Sequence, residues 1–225
     1  MTFPINLRGK SRRGGGVAPP PAAGMVAWWK KNTQVGAGFC SSWPDASGSG
    51  NPLAQATGAN QPTLPGDGSL LCDGAAHFMK IVATTLNQPA TVYWRLKQIT
   101  WTDFDAICDG DTGNSFTLLQ RTASPGLALS IGGAFVTPVV NLALNTYGTV
   151  SYGRKTNGTD CFIQVDSGAE QVVASAGVAL GGYTLGARAD GPQRFANVQY
   201  LEGILYNVAH TPAQRAAIIA YMATV

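Results

Sequence analysis

Val92, Trp94 and Leu96 alternate with Tyr93, Arg95 and Lys97, and the same alternation recurs along the chain. Leu127, Leu129 and Ile131 alternate with Ala128 and Ser130, and Cys161, Ile163 and Val165 with Phe162 and Gln164. Tyr183, Leu185 and Ala187 alternate with Thr184 and Gly186. An apolar residue at every second position shares one face of a strand, the pattern of a half-buried antiparallel sheet. Between these segments lie Asp109-Gly110, Asp111-Thr112-Gly113-Asn114, Gly132-Gly133, Asn157-Gly158 and Asp166-Ser167-Gly168. Such residues tolerate positive φ and close hairpins. Many short strands with these turns predict an all-β, two-sheet antiparallel jelly-roll sandwich over residues 25–225. One helix closes it. Thr211-Pro212-Ala213-Gln214 supplies an N-cap, a Pro at the first helical position and a Gln able to complete a capping box, predicting a helix over about 212–222. Gln214, Ile218 and Met222 at i, i+4 spacing, with Tyr221 beside them, are its expected packing face.

Residues 1–24 read differently. They hold five Gly and four Pro, including Gly14-Gly15-Gly16 and Pro19-Pro20-Pro21, a composition for an extended arm rather than a packed element. Arg8, Lys10, Arg12, Arg13, Lys30 and Lys31 precede the first acid, Asp45, so the basic charge is concentrated at the front of a chain whose net charge is only +3. Phe3, Ile5 and Leu7 alternate ahead of that cluster and could add a strand to a partner's sheet edge. Arg8, Lys10, Arg12 and Arg13 would then face acidic groups of the partner, making Phe3, Ile5, Leu7 and these four cations the expected docking arm. No aromatic interleaving accompanies the cations, so nucleic acid is not an expected partner. No apolar run approaches the roughly 18 residues of a membrane span, and the start has no apolar core of a secretory signal. Apolar residues make up 45% of the 225, enough for a core, which excludes global disorder.

The segments Ser42-Trp43-Pro44-Asp45-Ala46-Ser47-Gly48, Gln55 to Leu64 and Cys72-Asp73-Gly74 with His77-Phe78-Met79 resemble the opening of concanavalin A-like, laminin G-type jelly rolls. Glu202-Gly203-Ile204-Leu205-Tyr206-Asn207 and Thr211-Pro212-Ala213-Gln214-Arg215 with Tyr221 are similar to the last strand and terminal helix of that family. A Phe commonly stands where this chain has Cys72, a departure expected to cost some packing. Small domains of this kind behind a short arm are frequent in tailed-bacteriophage virion proteins. The resemblance therefore implies a non-enzymatic virion structural protein, made in the host cytoplasm and docked on neighbouring virion proteins or on further copies of itself. A lectin-like module recognising a host surface glycan is the second reading, and a glycosidase the third.

The chemistry-bearing residues are few. A glycosidase needs two carboxylates about 5–5.5 Å or 6.5–9.5 Å apart. Glu170 and Glu202 are distant in sequence, and Asp103, Asp105, Asp109 and Asp111 sit beside turn residues, where Asp bonds its own backbone. Asp109, Asp111 and Asn114 could offer oxygens to Ca²⁺, yet the further acids of a calcium loop are missing, and no cofactor is expected. Cys40, Cys72, Cys108 and Cys161 lack the spacing of a disulfide framework or a zinc site and read as small apolar fillers. Trp43 and Trp94 read as core. Trp28, Trp29 and Trp101 are the candidates for stacking on a sugar.

Overall fold

The computed structural model of the chain describes residues 17–86, 89–111, 116–131, 134–175 and 180–225. The expected docking residues Phe3, Ile5, Leu7, Arg8, Lys10, Arg12 and Arg13 lie outside the described residues, as does Asn114. In chain order the strands are β1 (Met25–Trp29), β2 (Ser42–Trp43), β3 (Leu53–Ala54), β4 (Leu70–Asp73) and β5 (Met79–Leu86). They continue as β6 (Thr91–Gln98), β7 (Ala106–Asp109), β8 (Phe116–Gln120), β9 (Gly126–Ile131) and β10 (Ala134–Asn141). β11 (Gly148–Arg154), β12 (Asp160–Val165), β13 (Gln171–Ala174), β14 (Leu180–Leu185) and β15 (Asn197–Tyr206) precede the helix α1 (Pro212–Met222).

Two antiparallel sheets face each other. The first has the order β1-β15-β6-β11-β12-β13, with β4 also paired to β15, and the second β10-β9-β8-β7-β14-β5-β3-β2. The alternating residues do as their period requires. Val92, Trp94 and Leu96 of the first sheet meet Leu127, Leu129, Ile131, Tyr183 and Leu185 of the second in one buried cluster. Trp94 sits at its centre, stacked on Trp29 at 5.3 Å and edge-on to Tyr200 at 5.4 Å. The Trp94 indole N–H donates to Tyr183 Oη at 2.7 Å. Tyr183 Oη bonds Tyr152 Oη, which meets Cys108 Sγ at 2.9 Å. Buried hydroxyls and indoles left unpaired would each cost about 1–3 kcal/mol, and this chain of partners avoids that cost. Space for the large ring comes from Gly203, the register partner of Trp94, where a Cβ would stand 2.1 Å from the indole.

The four cysteines are free and buried. Burial pushes the thiols of Cys40 and Cys161 up to about 11 and that of Cys108 up to about 12, so none ionises near neutrality. Cys72 packs against Gly186, where a Cβ would approach its Sγ to 2.5 Å. The small thiol at this unusual position is matched by a glycine opposite, and the site is closed. Asp45, in the Trp-Pro-Asp stretch, accepts from the backbone N–H groups of Trp28, Ser47 and Asn51 at 2.8–3.0 Å. Burial alone would raise its carboxyl, but these amides and the Ser47 hydroxyl outweigh burial and hold it below the usual range.

The helix begins at the expected cap, with both arms of the capping box formed between Thr211 and Gln214. Its buried face differs from the expected one. Arg215, Ile218, Ile219 and Met222 point inward, whereas Gln214 is exposed and spends its side chain on the Thr211 N–H at 2.8 Å. This face lies on the outer side of the first sheet, over Tyr93, Ile204 and Tyr206, with Met25, Trp28, Val208 and Tyr221 at its margin. The sandwich thus carries a second, smaller apolar layer. His210 fastens the start of the helix to it, with Nδ1 2.9 Å from Tyr93 Oη and its ring 4.3 Å from that of Tyr206.

Candidate functional site

Three loops meet at the rim of the second sheet: residues 99–105 before β7, residues 121–125 between β8 and β9, and residues 188–196 before β15. Six described residues other than glycine have positive φ. Three are Asn or Asp, for which this region is ordinary. The other three are Phe104 (φ 71), Thr122 (φ 74) and Arg194 (φ 54), and all three stand at this rim. A left-handed backbone costs such side chains about 1–2 kcal/mol each, so the surrounding bonds must impose it. They do. Phe104 N–H donates to the Gln120 carbonyl at 2.8 Å, Ala106 N–H to the Arg194 carbonyl at 2.7 Å, and Thr122 N–H to Asp103 Oδ1 at 3.0 Å. Gln120, buried behind them, accepts from Thr102 N–H at 2.9 Å and donates to Gln98 Oε1 and the Thr100 carbonyl, both at 2.7 Å.

The strained loop holds a half-buried aromatic between charges. The Arg121 guanidinium lies 4.0 Å from the centre of the Phe104 ring and that of Arg194 5.6 Å away. Arg121 also pairs with Asp103 at 3.2 Å. Trp101, half-buried at the same rim, is fixed by its indole N–H donating to the Gly126 carbonyl at 3.0 Å. Partial burial raises the carboxyl of Asp105, while the Thr102 hydroxyl and the charge of Arg194 pull it back only in part. The result is a rim on which two half-buried rings stand among guanidinium donors and carboxylate acceptors, with Arg121 over part of the Phe104 ring. Rings stack on apolar C–H faces, and Arg and Asp side chains bond paired hydroxyls, the two needs of a carbohydrate site.

No protein-family model matches the chain, and no curated protein matches it. Solved structures do. A GH54 a-L-arabinofuranosidase soaked with a cyclic sulfate inhibitor superposes at TM-score 0.65 with 13% identity, over 88% of this chain and 59% of that one. The Trypanosoma rangeli sialidase in complex with 2,3-difluorosialic acid superposes at 0.65 with 15% identity, over 92% of this chain and 34% of the other. Botulinum neurotoxin type C, whose cell entry depends on interaction with two ganglioside molecules, superposes at 0.59 with 9% identity, over 89% and 52%. The likeness fixes the fold as a β-sandwich. The chain spans between 34 and 59% of the length of these proteins. Two expectations are corrected at this point, the non-enzymatic virion structural role and the exclusion of enzymes. The finding that overturns them is that the superposing solved structures include an arabinofuranosidase and a sialidase, both enzymes.

Of the three tryptophans singled out for sugar stacking, only Trp101 stands at the rim. Trp29 is fully buried against Trp94 and has no face to offer. Trp28 is half-buried under the helix margin, edge-on to Tyr221 at 6.1 Å with Lys30 Nζ over its ring at 4.5 Å. Its indole N–H donates to Glu202 Oε1 at 2.7 Å. Glu202 is buried and also accepts from Tyr221 Oη at 2.8 Å, while Glu170 pairs with Lys155 at 2.6 Å and with Arg215. Asp109, weighed above as a calcium ligand, is buried and accepts from Gly110 N–H at 2.8 Å, Thr117 Oγ1 at 2.6 Å and Ala189 N–H at 3.1 Å. Asp111 is exposed one residue past the end of this network. Among the described residues no group of three or more His, Cys, Asp or Glu is placed to hold a metal ion. Phe104, Arg121 and Arg194 escaped the sequence reading, and the nearest signal was the Asp103-Phe104-Asp105 triplet, which reads as a turn.

Proposed function

We propose that this β-sandwich is a carbohydrate-recognition module and that an oligosaccharide lies across Trp101 and Phe104. Arg121, Arg194, Asp103 and Asp105 bond its hydroxyls. One observation carries the reading: the improbable backbone of Phe104, Thr122 and Arg194 is confined to the one rim where two half-buried rings stand among paired charges. Strain of this kind persists where a binding surface is held ready in advance. The glycan-dependent proteins that share the fold support the same reading.

The test is a glycan array followed by calorimetric titration of the best ligand. Saturable binding weakened about ten-fold or more by Phe104→Ala, and also by Trp101→Ala, is the expected result. Binding untouched by both substitutions would move the site elsewhere. Mass spectrometry of the recovered oligosaccharide reads out any cleavage by the same chain.

A further inference from the structure

A second concavity lies on the opposite sheet. α1 and the β12–β13 turn enclose a groove of about 710 Å³, within the range of small-molecule sites. The helix wall is apolar: Pro212, Ile219 and three small residues, Ala216, Ala220 and Ala223. Its lining among the described residues has no aromatic side chain, and Phe162 beside it is fully buried beneath the Arg215 guanidinium. A sugar would find nothing to stack on here.

The polar end has an unusual balance. Glu170 of the lining accepts from two cations, the lining Arg215 and, from just outside it, Lys155 Nζ at 2.6 Å, so the triad keeps one positive charge. Asp166, the other acid lining the groove, has its own cation in Arg95 at 3.6 Å. Arg215 is 5% exposed, and its Nε–H has no hydrogen-bond partner among the described residues. Ser151, aligned with Gln164 of the groove by strand register, also has a buried hydroxyl without a partner among the described residues. A buried N–H without an acceptor and a net cation together call for an anionic acceptor, and the helix wall calls for an apolar body.

The geometry points to a binding site for an amphipathic monocarboxylate, its tail along Ala216, Ala220 and Ala223 and its carboxylate at Lys155 and Arg215. This site is independent of the carbohydrate reading. The experiment titrates the full chain with decanoate below its micellar concentration, with decanol and decyltrimethylammonium as controls. One-to-one decanoate binding about ten-fold or more tighter than either control is expected. Ala220→Trp, at an exposed helix position, should fill the groove and abolish binding without lowering the melting temperature. Lys155→Gln should bring decanoate close to decanol. Absence of saturable decanoate binding, equal affinity for the three probes, or full binding by Ala220→Trp would each overturn the proposal.

Discussion

Trp94 and Phe104 are both aromatic rings fixed by many partners, and they are fixed in opposite ways. Trp94 sits on a regular strand, with its indole N–H paired, its ring stacked and a glycine beneath it. It is fully buried. Phe104 sits on a left-handed backbone, half exposed, with a guanidinium 4.0 Å from its ring and carboxylates on both sequence neighbours. The first arrangement lowers the free energy of the fold. The second raises it locally and is tolerated because the loops around it are over-determined. A protein that keeps both has a stable centre and a surface held ready for something else.

The sharpest way to break this contrast is at the centre. Trp94→Ala should cost about 3–5 kcal/mol, since it removes a fully buried ring and one of the two hydroxyl partners of Tyr183. Equilibrium denaturation in urea measures it. A loss below about 1 kcal/mol would mean the core rearranges freely and the fold does not hang on this residue.

Acid should act on the second apolar layer before it acts on the core. Burial, and then the charge of Arg215, lowers His210 from 6.5 to about 4. A depressed folded value contributes stability that is full above the unfolded one and lost as pH falls through the folded one. The melting temperature should therefore decline between about pH 6.5 and 4, and His210→Phe should flatten that window. A decline of the same size in the substituted protein would move the acid sensitivity to the carboxylates. Those include Asp45 and Asp73, whose lowered values place their losses further into acid.

At the rim the expected sign changes. Phe104→Gly removes the ring's contacts and adds the freedom of glycine in the unfolded chain, and relief of the left-handed penalty largely offsets these two losses. Stability should stay within about 1 kcal/mol of the parent while glycan affinity falls about ten-fold. A variant destabilised like Trp94→Ala would show that Phe104 is a core residue, and the contrast would collapse.

How much of this was legible in the sequence depends on whether a residue's role is periodic. Leu127, Leu129 and Ile131 declared their strand because one face of a sheet must be apolar, and Thr211 with Gln214 declared the helix start because a cap needs those groups. Tyr93 was only partly legible. It alternates with core residues and so reads as outward, but outward here means beneath a helix. The Gln214 face was misread because one side chain cannot both cap and pack. At the rim only Trp101 was legible. Phe104, Arg121 and Arg194 come from three loops with no common period, and only the fold brings them together. The positive φ of Phe104 leaves no trace in composition, because Phe is a residue that avoids it.

The smallest expected effect separates the two regions most cleanly. Asp105 has its carboxyl raised by partial burial, with the Thr102 hydroxyl and Arg194 compensating only in part. A raised folded value means the protonated form suits the fold, so the favourable contribution exists below the unfolded value, near 3.9, and is lost as pH rises through the folded one. At pH 7 the ionised carboxylate is therefore a burden to the fold. Asp105→Asn keeps the shape, keeps an acceptor for Thr102 and removes the charge, so it should raise the melting temperature by about 1–3 °C at pH 7. The gain should vanish near pH 3, where the parent is protonated as well. If Asp105 accepts a sugar hydroxyl, the same substitution weakens glycan binding about ten-fold, because a hydrogen bond to a charged acceptor is lost. Stability up and affinity down from one substitution is the mark of a group retained for binding. A lower melting temperature at pH 7 would make Asp105 a structural partner of Arg194, and the rim would then differ from the core in exposure alone.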